Sequence, residues 1–290
     1  MTQKALKIGL ALGGGAARGV AHIPMLGVFD ELGIRPAVIA GTSIGALVGV
    51  TYAAGISAAD IRQHTERLFG HRLDLARHLF GSRGARLTDL LTLTGYASFQ
   101  IQTEKLVELL LPDDVPKTFE ELDIPFKVVV TDYEQMVERV IDKGPLVPAI
   151  AASIAIPGIF QPTRLDGRLH VDGGVTNPVP FNHVRDGMDV VVAIDVSGRP
   201  RAVGQKMPSN MELAVGSMHI MFKELADMRR ALNPPDIYIR PAVDQFGSGD
   251  FLRWRDIMAG AETARENLRR SLKVRLPQPD PVSGDAERMT

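Results

Sequence analysis

The sequence predicts an α/β protein with a central, mainly parallel sheet and helices on both faces. Two observations support this prediction. Residues 6–54 follow the order strand, glycine-rich loop, helix, strand and helix, which is typical of neighbouring parallel strands joined by a right-handed crossover. Further apolar strands, at 125–132 and 189–196, alternate with helical segments along the chain. We therefore expect one domain over residues 6–276, with its informative motifs before residue 200.

The opening unit is predicted element by element. Residues 6–12 form an apolar run typical of a buried strand, and the glycine loop 13–19 follows it. Residues 20–32 have helical periodicity and stop at Gly33, and the apolar run 36–40 predicts the second strand. The small residues that follow this strand predict a second helix.

The rest of the chain mixes helices and short strands. Within the mostly helical residues 56–123, segment 81–95 is a candidate mobile cap, and the apolar cluster 106–111 is interpreted as core in preference to a lipid-contacting surface. Residues 277–290 are rich in proline, aspartate and serine and predict a disordered tail. Between these regions the patterns predict strands over 125–132, 136–141, 164–171, 189–196 and 237–240, and helices over 58–69, 103–111, 145–155, 209–232 and 251–272.

Composition excludes several classes of protein. The 290 residues, 45% of them hydrophobic, can form a large core. A net charge of −1 gives no electrostatic footprint for nucleic acid, and the absence of cysteine excludes disulfides, thiolate metal sites and thiol catalysis. No apolar run approaches the roughly 20 residues of a membrane span, and the chain start has no secretory-leader pattern. We expect a cytoplasmic protein with no metal or cofactor and, at most, peripheral membrane contact.

The turn around Ser43 is the first candidate site. Ser43 lies between the second predicted strand and a helix, with Gly41 and Gly45 on either side. This is the pattern of a nucleophile elbow, in which a strained serine points its hydroxyl toward a helix N-terminus. A glycine-rich connection with an N-capping serine has the same local pattern, so further motifs must decide between the two.

The glycine loop 13–19 has three interpretations. A dinucleotide-binding loop is not favoured because Arg18 occupies the position of the third glycine, and a phosphate-binding P-loop lacks its Gly-Lys-Ser/Thr ending. A purely structural turn stays open. An oxyanion hole made of backbone N–H groups is favoured, because neighbouring parallel strands end about 5 Å apart and bring this loop close to Ser43.

A serine nucleophile needs a base, and two arrangements are open. Ser43, Asp172 and either His183 or His219 would give the serine, acid, histidine order of α/β-hydrolases. The elbow follows the second strand of the chain, however, which is too early for that fold. Asp172 is the other candidate base, since it ends a predicted strand and precedes two glycines, although an ordinary Asp-Gly turn would have the same pattern.

Four short blocks resemble those of the patatin-like phospholipases, most closely the bacterial branch and the catalytic domain of neuropathy target esterase. The blocks are the glycine loop with residues 21–23, the elbow 41–45, residues 152–158 and residues 172–174. The resemblance extends over residues 6–200 and implies a patatin-like three-layer fold. One departure is an extra residue between Gly15 and Arg18, which affects loop geometry more than function.

The resemblance implies a serine acyl-hydrolase with a Ser–Asp dyad and no catalytic histidine. Ser43 would attack a carboxylic ester carbonyl, and Asp172 would accept its proton and later activate water. Backbone N–H groups of Gly13, Gly14 and Gly15 would hold the oxyanion. The substrates would be lipid esters such as lysophospholipids or phospholipids.

Other residues are predicted to support this site. Arg18 would orient the glycine loop or meet a phosphate head group, with a surface salt bridge as an equal alternative. Ser153 lies in a small-residue helix and is expected to support the fold, so that its replacement by alanine should be mild. Four glycines, in pairs beside the nucleophile and the base, would permit close backbone approach: Gly41, Gly45, Gly173 and Gly174.

One alternative to a hydrolase stays open at this stage. A non-catalytic or regulatory member of the same fold would bind acyl lipids or a protein partner instead. Weak, reversible membrane contact is also expected from the substrate class, through residues 81–95 or the methionine-rich helix 209–232.

Overall fold

The computed structural model describes residues 6–70, 103–198, 207 and 209–276. Within these ranges one sheet contains strands β1 (Ile8–Leu12), β2 (Val38–Thr42), β3 (Phe126–Asp132), β4 (Val137–Ile141), β5 (Thr163–Leu165), β6 (Arg168–Asp172), β7 (Val190–Ile194) and β8 (Ile237–Ile239). The helices are α1 (His22–Glu31), α2 (Ile44–Ala53), α3 (Ala58–Gly70), α4 (Thr103–Leu110), α5 (Leu146–Ser153), α6 (Asn210–Leu232), α7 (Trp254–Gly260) and α8 (Glu262–Arg275). In the described part of the chain, no helix is long and apolar enough to cross a membrane.

The sheet is mixed and mainly parallel, as the sequence predicts. Strands β3, β2, β1, β7 and β8 are neighbours in that order, and each pair among them is parallel. β4 and β6 both pair with β3 in the antiparallel direction, and β5 pairs with β6. The β5–β6 hairpin turns at Asp166 and Gly167, with φ of 51° and 78°, which is the left-handed geometry expected of an Asp-Gly turn.

Helices cover both faces of the sheet, but unequally. Because side chains alternate along a strand, Ile8, Leu10 and Leu12 of β1 contribute to one core cluster and Ala11 to another. The first cluster is the larger and packs against α1 to α5, α7 and α8. The second lies against α6 and the 3₁₀ helix Phe181–Val184. The three-layer arrangement therefore has one thick face and one thin face.

Most predicted elements are present, with shifts of one or two residues at their ends. The apolar cluster 106–111 belongs to the core, since Leu106, Val107 and Leu111 are buried. The helix predicted over 251–272 is wrong as a single element: α7 ends after Gly260, a poor helix former, and the N–H of Ala261 bonds to Met258 in a tighter turn before α8 begins. Residues 81–95 and 277–290 lie outside the described residues, so the predicted cap and tail stay predictions.

Candidate active site

The elbow at the end of β2 places Ser43 in a strained conformation. Ser43 has φ 55° and ψ −125°, a region that residues with a side chain seldom occupy. The turn is too tight for side chains on either side: a Cβ on Gly41 would lie 2.5 Å from the carbonyl oxygen of Gly45, and one on Gly45 would lie 2.1 Å from that of Leu12. The glycine spacing in the sequence therefore matches a steric requirement of this turn.

Asp172 comes close to Ser43 because two strands divide one edge of β3. β4 occupies one edge of β3 along residues 128–132. β2 pairs with residues 126–129 of β3, and β6 pairs with residues 130–132. A strand has only two edges, so β2 and β6 lie end to end on the other edge and run toward each other. Their C-terminal ends meet, which brings Asp172 to Ser43.

The two side chains form a direct hydrogen bond. The hydroxyl Oγ of Ser43 donates to Oδ2 of Asp172 at 2.7 Å, and the N–H of Gly174 donates to the other carboxylate oxygen at 2.7 Å. The backbone after the aspartate passes close to β3, since a Cβ on Gly173 would lie 2.1 Å from the carbonyl oxygen of Val129. The glycines after Asp172 therefore allow the carboxylate to sit at the strand junction.

The surroundings of Asp172 favour its neutral form. Its side chain is 1% exposed, and burial raises the pKa to about 6, although the hydrogen bonds from Ser43 and Gly174 act in the opposite direction. Both partners are uncharged, and no basic side chain in the described residues bonds to this carboxylate. A carboxylate in such a site is a stronger base than one in water.

The glycine loop differs from its expected arrangement at two positions. The N–H of Gly13 donates to the carbonyl oxygen of Ile194 at 2.9 Å, and the N–H of Gly14 donates to that of Pro178 at 2.9 Å. Two of the three expected oxyanion donors are thus occupied, because the loop crosses the end of β7 and packs against the segment after the aspartate. They hold the loop in place in this structure.

The next two residues of the loop keep their backbone donors available. Gly15 and Ala16 line the cavity above the serine, and their N–H groups have no hydrogen-bond partner in the described part of the chain. Ala16 has φ 51°, and a Cβ on Gly15 would lie 2.4 Å from the carbonyl oxygen of Val196. Of the three glycines predicted for an oxyanion hole, Gly15 is the one whose N–H has no partner among the residues that the structure describes.

Arg18 is buried, so a surface salt bridge is the wrong alternative for this residue. Its side chain is 2% exposed and donates to the carbonyl oxygens of Val196 at 3.3 Å and Phe246 at 3.1 Å. Burial lowers the pKa of the guanidinium, while Asp195 and other nearby carboxylates oppose that shift. The side chain therefore ties the glycine loop to the exit of β7 and also lines the cavity.

None of the candidate histidines bonds to the serine or the aspartate in the described residues. His183 contacts Glu138 through Nε2, and burial lowers the pKa of His219, which lines the cavity, to about 4. His22 is buried beneath the glycine loop, where Nε2 contacts the carbonyl oxygen of Gly13 at 2.8 Å. The serine, acid, histidine arrangement is therefore not assembled here.

The cavity above the serine is narrow and covered by α6. Its volume of about 20 Å³ is enough for roughly one water molecule and too small for an acyl chain. Phe222 of α6 packs on Gly174, where an added Cβ would lie 2.9 Å from the ring, and His219 meets the same ring edge-on. The helix therefore forms the roof of the site.

Ser153 contacts Ser43, and the sequence analysis did not predict this contact. Its Oγ accepts a hydrogen bond from the N–H of Ser43 at 2.8 Å and donates one to the carbonyl oxygen of Val129 at 2.7 Å. Its only sequence signal was membership of the third block, and that signal did not say which atom it would contact.

Comparisons with known proteins agree with the resemblance seen in the sequence. The family model described as patatin-like phospholipase matches residues 10–185, more than half of the 290 residues. An uncharacterized NTE family protein of Mycobacterium tuberculosis is 35% identical over 194 residues, covering 66% of this chain and 49% of that protein. A lysophospholipase of Pyricularia oryzae is 26% identical over 279 residues, covering 87% of this chain and 18% of its own length. The chain thus spans about half, or less, of these relatives.

A search of solved structures gives a weaker match. The complex of ExoU with SpcU from the type III secretion system of Pseudomonas aeruginosa aligns with a TM-score of 0.47 at 15% identity, over 93% of this chain and 52% of that one. Family membership rests on the family model and on the sequence relatives, and these confirm the predicted resemblance. The chain belongs to the patatin-like phospholipase family.

Proposed function

We propose that the protein hydrolyses carboxylic esters of lipids through an acyl-enzyme on Ser43. The observation that carries this proposal is the 2.7 Å hydrogen bond from Ser43 Oγ to Asp172 Oδ2 in a buried pocket. Asp172 accepts the hydroxyl proton as Oγ attacks the ester carbonyl, and the proton passes to the alcohol that leaves. A water then gives its proton to Asp172 and attacks the acyl-enzyme, which releases the fatty acid and restores Ser43.

The environment of the pair supports a carboxylate acting as base. Its raised pKa brings Asp172 closer to the basicity that proton transfer near neutral pH requires. The negative charge that develops on the substrate oxygen needs donors, and we assign them to the N–H groups of Gly15 and Ala16. Gly13 and Gly14 hold this loop through their own hydrogen bonds. The N-terminus of α2, directly after Ser43, adds a favourable dipole.

The family and the lining of the cavity support this substrate class. Apolar groups of Ile156, Pro178 and Phe222 line the cavity beside the serine, and this apolar lining matches the chemistry of a lipid ester. Arg18 lines the same cavity and would lie beside a phosphate head group, while its bonds to backbone carbonyls keep the glycine loop oriented. The lysophospholipase name of one relative agrees with phospholipid or lysophospholipid esters as substrates.

Peripheral membrane contact through α6 is part of this proposal. The outer face of α6 exposes four large apolar side chains at spacings that place them on one side of the helix: Leu213, Ile220, Met221 and Met228. The inner face of the same helix covers the cavity, so a lipid surface bound outside would lie next to the site. Flotation with phosphatidylcholine and phosphatidylglycerol vesicles should recover the protein with lipid, and Met221→Glu with Met228→Glu should reduce that recovery. No flotation with either lipid would contradict the membrane contact.

Labelling with a fluorophosphonate probe, followed by mapping of the modified peptide, tests the hydrolase proposal. The probe should modify Ser43, and Ser43→Ala should abolish both labelling and hydrolysis of a lysophospholipid while the circular dichroism spectrum is retained. Hydrolysis by Ser43→Ala near the wild-type rate would mean that a residue other than Ser43 is the nucleophile. A folded wild-type protein that binds acyl lipid but neither reacts with the probe nor hydrolyses esters would favour the non-catalytic alternative.

A further inference from the structure

The ladder between β2 and β3 is interrupted at the nucleophile. Its first rung is the hydrogen bond from the N–H of Ile39 to the carbonyl oxygen of Pro125 at 2.9 Å. The register is one to one from Ile39 onward, and bonds from one strand of a parallel pair recur every second residue. The next donors along β2 would therefore be the N–H groups of residues 41 and 43. In a continued ladder, the N–H of Ser43 would donate to the carbonyl oxygen of Val129.

A side chain occupies this last rung. The Oγ of Ser153, at the C-terminal end of α5, accepts from the N–H of Ser43 at 2.8 Å and donates to the carbonyl oxygen of Val129 at 2.7 Å. One hydroxyl therefore satisfies both backbone groups that the ladder loses where β2 turns into the elbow. Ser153 is fully buried, so water is not available to replace it.

The position of this rung matters because both halves of the site begin there. Ser43 departs from strand geometry to φ 55°, and β6 takes over the edge of β3 at the next residue, where Asp172 pairs with Val130. The hydroxyl of Ser153 thus fixes the amide of the nucleophile against the strand that also carries its partner. Without it, the elbow amide and the Val129 carbonyl would be buried without partners, and the elbow would relax to pair them.

We propose that Ser153 is a positioning residue, whose hydroxyl replaces the missing ladder bond and so holds Ser43 in line with Asp172. This inference rests on the proposed function, since it concerns the reactivity of Ser43. It replaces the expectation that Ser153 supports the fold alone. Ser153 takes no proton from the substrate or from the nucleophile. Its effect is on the turnover step rather than on substrate binding, because it does not line the cavity.

Ser153→Ala removes both hydrogen bonds, and Thr51→Val provides a matched control. Thr51 is a buried hydroxyl residue in α2 that donates to Leu47 within its own helix, away from the cavity. We expect Ser153→Ala to lower kcat about 10- to 100-fold with KM changed less than about twofold, since small misplacements of a reacting group are costly in rate. The rate of fluorophosphonate labelling of Ser43 should fall by a similar factor. Thr51→Val should keep kcat and the labelling rate within about twofold of wild type, even where its Tm falls as much as that of Ser153→Ala.

The outcomes separate the two proposals. A wild-type protein that labels at Ser43, beside a Ser153→Ala variant with unchanged labelling rate and kcat, would overturn the positioning role and leave the proposed function standing. A wild-type protein that never labels at Ser43 would overturn the proposed function first. If Ser153→Ala does not fold, Ser153→Cys keeps the volume but weakens both hydrogen bonds. In that variant a slower labelling rate supports the role, and an unchanged rate overturns it.

Discussion

Two buried aspartates lie at the ends of two strands of the same sheet, and their surroundings are opposite. Asp172 ends β6 and accepts hydrogen bonds from a hydroxyl and a backbone N–H, both uncharged. Asp195 follows β7, is 0% exposed, and accepts from Arg240 Nε at 2.6 Å and from the Tyr238 hydroxyl at 2.5 Å. One carboxylate is therefore neutralised by a cation and the other is not.

This difference fits the role of base that we propose for Asp172. Asp195 is paired with the guanidinium of Arg240, and this contact joins β7 to β8 and, through Asp227, to α6. A buried carboxylate without a cation keeps a high affinity for a proton. Burial alone does not distinguish a base from a structural aspartate, whereas the charge of its partners does.

The largest expected effect is on catalysis at Asp172. Asp172→Asn keeps the shape of the side chain but removes the proton acceptor, so kcat for ester hydrolysis should fall about 10²- to 10⁴-fold, as measured in steady-state assays. His183→Gln and His219→Gln are the controls and should keep most of the activity, since neither bonds to the pair in the described residues. A histidine variant as inactive as Ser43→Ala, beside an active Asp172→Asn, would restore the triad.

Asp195→Asn should have the reverse effect, on stability rather than on chemistry. Loss of the charge weakens the contacts with Arg240 and Tyr238, so the free energy of unfolding should fall by about 1–3 kcal/mol in a urea titration. The kcat of the folded variant should stay within about fivefold of wild type. If Asp195→Asn lost activity as fully as Asp172→Asn while remaining stable, the contrast between the two aspartates would be mistaken.

The smallest expected effect is the pH dependence that Asp172 gives to activity and to stability. With the Asp172 pKa near 6, kcat/KM should rise with pH through a midpoint near 6, and at pH 5 it should be about tenfold below its plateau.

The stability that Asp172 contributes should change with pH in the other direction. A carboxyl pKa raised by folding means that the folded state binds the proton more tightly, so the contribution of Asp172 should lower the stability of wild type relative to Asp172→Asn as pH rises from about 4 to about 6. That contribution is absent from Asp172→Asn, and a kinetic midpoint near 4 would argue against a perturbed base.

The sequence predicted the local parts of the site well, because their physical causes are local. The elbow depends on glycines two positions from Ser43, and the β5–β6 hairpin depends on its Asp-Gly turn. The contacts it did not predict depend on chain segments far apart. Gly14 bonds to Pro178, and Ser153 reaches Ser43 across 110 positions, according to how α5 and the strands pack. Periodicity and turn chemistry contain no information on these distances.

Because β2 and β6 divide one edge of β3, we expect the proposed catalytic pair to form late in folding. Ser43 and Asp172 are 129 positions apart, and their contact requires β3 to pair with β2, the β5–β6 hairpin to close and β6 to dock in the remaining half of that edge. Contacts of such long sequence separation form slowly, since a long loop must be closed first. A growing chain that has just completed β3 already contains the elbow and three parallel strand sequences, yet it lacks Asp172. The order of synthesis thus keeps Ser43 without its hydrogen-bond partner until β6 has been made.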